Sequence, residues 1–153
     1  MPPRTFAYIA DLESHVGEEL GISDWFEVTQ ERINAFADAT DDRQWIHTDV
    51  ERARAQASSG RTIAHGFLTL SLLAPLFAAA LEVGHTTTSV NYGLNRVRFT
   101  SPVNCGDRIR ARFTLQQYQR LDSGAQLTWN VLIERPGEAK PVLIAEWLMR
   151  RIQ

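Results

Sequence analysis

The chain has 153 residues, 44% of them hydrophobic and 22% charged, with a formal net charge of −2. That make-up fits one ordinary globular domain, and the lack of a basic block leaves no electrostatic footprint for nucleic acid. No membrane span or secretion signal is expected, because the longest apolar run, Leu72 to Leu81, is too short to cross a bilayer and the Met1-Pro2-Pro3-Arg4 start lacks a signal layout. The lone Cys105 excludes an internal disulfide, so a single cytoplasmic domain is the expectation.

The first clear element is a helix. Thr29 is its N-cap, Glu31 lies in its first turn, and Ile33, Phe36, Ala37 and Thr40 share a face. Asp41 and Asp42 end it. A second, short helix runs from Asp49 to Ala57 and is broken by Ser58-Ser59-Gly60. Gly66 to Leu81 is apolar on all sides, which predicts one helix enclosed by other structure and bent at Pro75.

The pattern then changes to period two. Thr87 to Phe99 is a strand in which Val90, Tyr92 and Leu94 share one face, while Val97 and Phe99 fall in the opposite phase. That slip predicts a β-bulge. Ile109, Ala111, Phe113 and Leu115 form the buried face of one strand, and Leu127, Trp129, Val131 and Ile133 that of the next. Asp122-Ser123-Gly124 and Pro136-Gly137 are turns. Val142 to Met149, almost continuously apolar, predicts a central strand covered on both faces. Helices followed by antiparallel strands give an α+β fold, a curved sheet wrapped around the long helix.

Chemistry concentrates between positions 42 and 67. Asp42 and His47 lie five positions apart in a turn-like stretch, and His65-Gly66 opens the long helix. Asp and His are common proton-transfer side chains, and Gly lets a substrate approach the backbone. This is equipment for adding or removing water.

Phe36 to Asp49, with Asp42-Arg43-Gln44-Trp45-Ile46-His47 inside it, resembles the hydratase motif of the MaoC-like family, usually Gly-Asp-x-Asn-Pro-x-His. Ile63-Ala64-His65-Gly66-Phe67 is similar to that family's second block. Val97 to Val103 with Gly106-Asp107 is similar to its third. Gln44-Trp45-Ile46-His47 and Asn91-Tyr92-Gly93-Leu94-Asn95 resemble the nodulation-protein-N-like branch, which includes 3-hydroxyacyl-thioester dehydratases.

The resemblance implies a hot-dog fold, a homodimer, and (R)-specific hydration of trans-2-enoyl thioesters or its reverse. The substrate would be an acyl-coenzyme A or acyl-carrier thioester, with no separate cofactor, no metal and no nucleic-acid or membrane partner. It makes Asp42 and His47 the catalytic pair, Gly66 the backbone donor to the thioester oxygen, and Ser71 and His65 neighbours of the site. Three positions depart from the usual motif: Asp41 for Gly, Gln44 for Asn and Trp45 for Pro. The longer Gln44 amide and the Trp45 indole bear on pocket size.

Each residue also has a structural reading. Asp42 can make an Asx-turn, His47 can be a satisfied core histidine, and His65 can be an N-cap or packing residue. Gly66 can serve close packing. Ser71 can bond back to the carbonyl four residues earlier. Arg96 and Arg98 fit a solvated strand face better than the phosphates of a coenzyme A tail. Cys105, His15 and His85 have no partner pattern that would make a metal site or a thiol nucleophile. A thioesterase and a non-catalytic acyl-thioester binder are the competing functions, since one fold hosts many.

Overall fold

The structure is a computed structural model that describes residues 1–153. In chain order it comprises β1 (Arg4–Phe6), a 3₁₀ segment (Ile9–His15), β2 (Glu19–Ile22), β3 (Phe26–Glu27), α1 (Gln30–Thr40), α2 (Trp45–Thr48), α3 (Val50–Gln56), α4 (Gly66–Ser71) and α5 (Leu73–Ala80). The strands β4 (Leu81–Val83), β5 (Thr88–Phe99), β6 (Arg108–Leu121), β7 (Gly124–Glu134) and β8 (Leu143–Ile152) complete it. The main sheet has the order β2-β6-β7-β8-β5, antiparallel throughout, with β3 also pairing β6. β1 and β4 form a separate parallel pair. No helix is long and apolar enough to cross a membrane.

The period-two segments fold as their patterning dictates. Ile109, Ala111, Phe113 and Leu115 on β6, and Leu127, Trp129, Val131 and Ile133 on β7, are all buried on the face that meets the central helix. Phe77 of α5 sits at the middle of this face. Its ring packs edge-on against Phe113, Trp129 and Trp147 at centroid distances of 5.1, 5.2 and 5.8 Å. Such aromatic pairs contribute about 0.5–1.5 kcal/mol each beyond the area they bury, so Phe77 fixes the helix against three strands at once.

The caps act as the sequence implies. The Thr29 hydroxyl accepts from the Arg32 N–H at 3.2 Å, and the Asp49 carboxylate from the Arg52 N–H at 3.0 Å. The slip in β5 is real and double: its register against β8 shifts between Asn91 and Gly93 and again between Leu94 and Arg96.

Three expectations need correction. The segment from Gly66 is two helices, parted at Leu72 and finished at Ala80, with Leu81 already in β4. Pro75 has no N–H to reach the Ser71 carbonyl, and the break at Leu72 falls inside that turn, so the expected bend at the proline is present. Nor is this helix enclosed. Gly66, Phe67, Ser71, Ala74 and Ala78 form an exposed stripe, with Phe67 at 69% exposure. Likewise β8 is buried on one face only, since Ile144, Glu146 and Leu148 are half-exposed on the other.

Candidate active site

Two extended segments cross beneath α2. Ile63 bridges Asn104, and the Ala64 N–H donates to the Val103 carbonyl at 2.8 Å. This ribbon holds α2 through two bonds from one residue: the Ile63 N–H donates to the Ile46 carbonyl at 2.9 Å, and its own carbonyl accepts from His47 Nδ1 at 2.6 Å. The His47 carbonyl in turn accepts from Gln30 Nε2 at 2.7 Å. His47 is thereby buried, at 6% exposure, and locked in orientation. With Nδ1–H committed to a carbonyl, Nε2 carries the lone pair of the neutral ring. Burial pushes the imidazole below its ordinary range, and His65 adds to that. The Ile63 hydrogen bond and the Asp42 charge oppose it.

His65 completes the cluster. Its Nε2–H donates to the backbone carbonyl of Asp42 at 2.9 Å, and its ring stacks on His47 with centroids 3.8 Å apart. Phe36 of α1 closes its other side at 4.9 Å. It stands at the N-cap of α4 but makes no side-chain cap bond there. Its role is a clamp between segments.

Asp42 lies exposed at the turn after α1, its side chain making only a long 3.5 Å contact with the Gln44 N–H. The turn requires a left-handed residue at Asp41, with φ of 60°. Gly meets that requirement without strain, which gives a physical reason for Gly in the motif; Asp is among the few other residues that tolerate it.

Ligand atoms of Asp42, His47 and His65 all lie within 4.8 Å of one another. That spacing would admit a cation, but the lone pairs of two nearly parallel rings do not aim at one tetrahedral centre, and each ring already spends a nitrogen on a carbonyl. The cluster is better suited to moving a proton. Beside it, the Gly66 and Phe67 N–H groups at the start of α4 have no partner in the chain. A Cβ on Gly66 would stand 3.2 Å from the Phe99 ring.

Other expected residues lie apart. Ser71 is exposed and its hydroxyl donates back to the Phe67 carbonyl at 2.7 Å, the structural reading. Trp45, half-buried, lies under the Arg52 guanidinium at 4.2 Å and lines a cavity of about 360 Å³ that does not include Gly66. Gln44 is exposed at the N-cap of α2. Arg96 and Arg98 are exposed on β5. The supports missed in the sequence are Gln30 and Thr62, whose side chains bond each other behind His47.

The pattern of the MaoC like domain family matches residues 11–134. A 3-hydroxyacyl-thioester dehydratase Z of Mycobacterium tuberculosis is 47% identical over 97% of this chain and 99% of its own length. Nodulation protein N of Rhizobium leguminosarum is 47% identical over 92% of this chain and 88% of its own. Among solved structures, an R-hydratase of Pseudomonas aeruginosa superposes with a TM-score of 0.76 at 22% identity, covering 95% of this chain and 86% of that one. The antiparallel sheet curved around a central helix is thus the hot-dog fold.

Proposed function

This chain belongs to the MaoC like domain family, and from that premise we propose that it is a hydro-lyase adding water reversibly, with (R) specificity, to trans-2-enoyl thioesters of coenzyme A. The observation that carries the reading is the cluster of the Asp42 carboxylate, the oriented His47 imidazole and His65, with the free Gly66 N–H next after His65 in the chain. In the hydration direction, His47 Nε2 takes a proton from water while the water oxygen bonds to the β-carbon. The displaced π electrons move toward the thioester oxygen, which accepts the Gly66 N–H. The α-carbon then takes the proton from His47, which returns to its neutral form. Asp42 holds the second hydrogen of the water. A fixed donor to a developing oxyanion contributes about 2.7–4 kcal/mol in other enzymes.

The active unit is a homodimer. β5 ends the sheet with a single neighbour, and Val90, Tyr92, Leu94 and Phe99 on it are exposed, as is Phe67 beside Phe99. These are five of the ten exposed large hydrophobic residues, a concentration that marks an association surface. A second copy would close the open side of the Asp42 cluster.

Crotonyl-coenzyme A tests the reading. Loss of the enone absorbance with formation of (R)-3-hydroxybutyryl thioester is the expected result. Release of free thiol instead would assign a thioesterase, and binding without either change a non-catalytic binder. Sedimentation showing a fully active monomer at micromolar concentration would overturn the dimer.

A further inference from the structure

The inward-facing positions of β8 run Leu143, Ala145, Trp147 and Met149, and then Arg151. A guanidinium therefore follows four apolar side chains onto the face that packs against the helix. Its backbone is fixed there, because a Cβ on the neighbouring Gly124 would overlap the Arg151 carbonyl. The guanidinium carbon lies 5.4 Å from the centre of the Phe77 ring, and Nε is buried without a partner.

No carboxylate answers this charge. The half-buried Arg110, Arg112 and Arg135 pair with Glu134, Glu19 and Asp107 at 2.6, 2.8 and 3.3 Å. Arg151 forms no ion pair, and burial alone pushes its guanidinium below the usual arginine range. It borders a cavity of about 520 Å³ whose walls include Phe77, Leu81, Val83, Trp147 and Met149. Glu82, the one acid lining that cavity, is exposed and out of ion-pair distance. Ser89 and Asn91, the neutral polar residues of the wall, carry no charge, and the Asn91 Oδ1 already accepts from the Trp147 Nε1–H at 2.7 Å.

The exposed stripe of α4 and α5 runs from Gly66, which lines a separate cavity, to this one. Ala74 and Ala78 form its helix wall, on the same exposed stripe as Gly66. They stand on α5 and Gly66 begins α4, so the stripe spans the break at Leu72.

We propose that this cavity receives an acyl chain bearing a carboxylate, which pairs with Arg151, so that the enzyme selects acidic acyl groups over plain alkyl ones. This rests on the thioester reading above. An unpaired half-buried cation is costly, and a carboxylate supplies the charge-assisted, bidentate partner it lacks. An alkyl end filling the same space leaves the guanidinium stranded. The apolar walls accommodate the stem, and the cation fixes the end.

The test compares two trans-2-enoyl thioesters of matched length, one ending in a carboxylate and one in a methyl group. The wild-type ratio of their kcat/KM values is expected to favour the acid by at least ~10-fold. Arg151→Met should abolish that ratio and Arg151→Lys retain part of it. Because the readout is a ratio, a general loss of activity cancels. Equal values in the wild type overturn the proposal. So does an unchanged ratio in Arg151→Met accompanied by weakened dimerisation, which would assign the cation to contact between copies. Should the wild type hydrate no enoyl thioester at all, the thioester reading fails by itself. Calorimetry with free alkanedioates and alkanoates then decides the cavity: tighter binding of the diacid, lost in Arg151→Met, sustains it, and equal binding overturns it.

Discussion

The ring of His65 lies against the ring of His47, 3.8 Å between centroids and 23° between planes, while its Nε2–H holds the Asp42 carbonyl. One imidazole thus positions both members of the proposed pair. Replacing it with Asn removes the stack and the carbonyl bond. His65→Asn is expected to destabilise the fold by ~1–3 kcal/mol, the usual cost of a stranded buried polar group. It should also move the acid limb of kcat/KM to higher pH, since His65 helps depress the His47 pKa. A limb that stays in place would reduce His65 to packing.

His47→Gln and Asp42→Asn should each lower turnover of crotonyl-coenzyme A by ~10²–10⁴-fold, the range for general acid–base groups. Asp42 is exposed, so Asp42→Asn should leave the unfolding midpoint nearly unchanged. Near-normal rates in either variant would remove that residue from the chemistry.

Stability should depend on pH through His47. Its folded-state pKa is depressed below 6.5, so the unfolded chain binds this proton more readily. The stabilising contribution is complete above about pH 6.5. It declines as pH falls below that value, until the folded-state pKa is passed. Denaturation midpoints measured from about pH 5 to 7.5 should therefore fall less steeply in His47→Gln than in the wild type.

At Asp41 the left-handed backbone sets the order of substitutions. Asp41→Val should cost ~1–2 kcal/mol, because a β-branched side chain does not tolerate that conformation. Asp41→Gly relieves strain and loses only an exposed ion pair to Arg43, which solvent screens. Thermal melts should place Gly at or near the wild type and Val well below.

Trp45 braces α2 against Arg52 of α3 and stands away from the cavity beside Gly66. Trp45→Ala should lose less than the ~3–5 kcal/mol of a fully buried aromatic, with activity falling alike across acyl lengths. A shift in chain-length preference would return Trp45 to the acyl channel.

Much of this architecture was legible in the sequence where burial is one-sided. Phe113 and Trp129 alternate with polar residues because one face of their strands meets the helix, and Thr29 and Asp49 mark helix starts by the bonds they make. The helix stripe was misread because Ala74, Ala78 and Phe67 are apolar whether they face this chain's core or another surface. The break at Leu72 was signalled by Pro75, which leaves the Ser71 carbonyl without its helical partner. β1 and β4, three residues each, are too short to display a period. In the site, the spacing of Asp42 and His47 carried the chemistry. The bonds that orient His47 come from Ile63 and Gln30, 16 and 17 residues away, and no local pattern encodes them.

The two bulges of β5 have a bearing on what can join that open edge. A straight foreign strand laid along it would find the ladder broken into short runs around Gly93 and Arg96, each too brief to hold it. Only a segment with matching irregularities gains the full length. The same feature that bends β5 thus guards an exposed, tyrosine- and leucine-bearing edge against fibrillar stacking while leaving it open to its own kind.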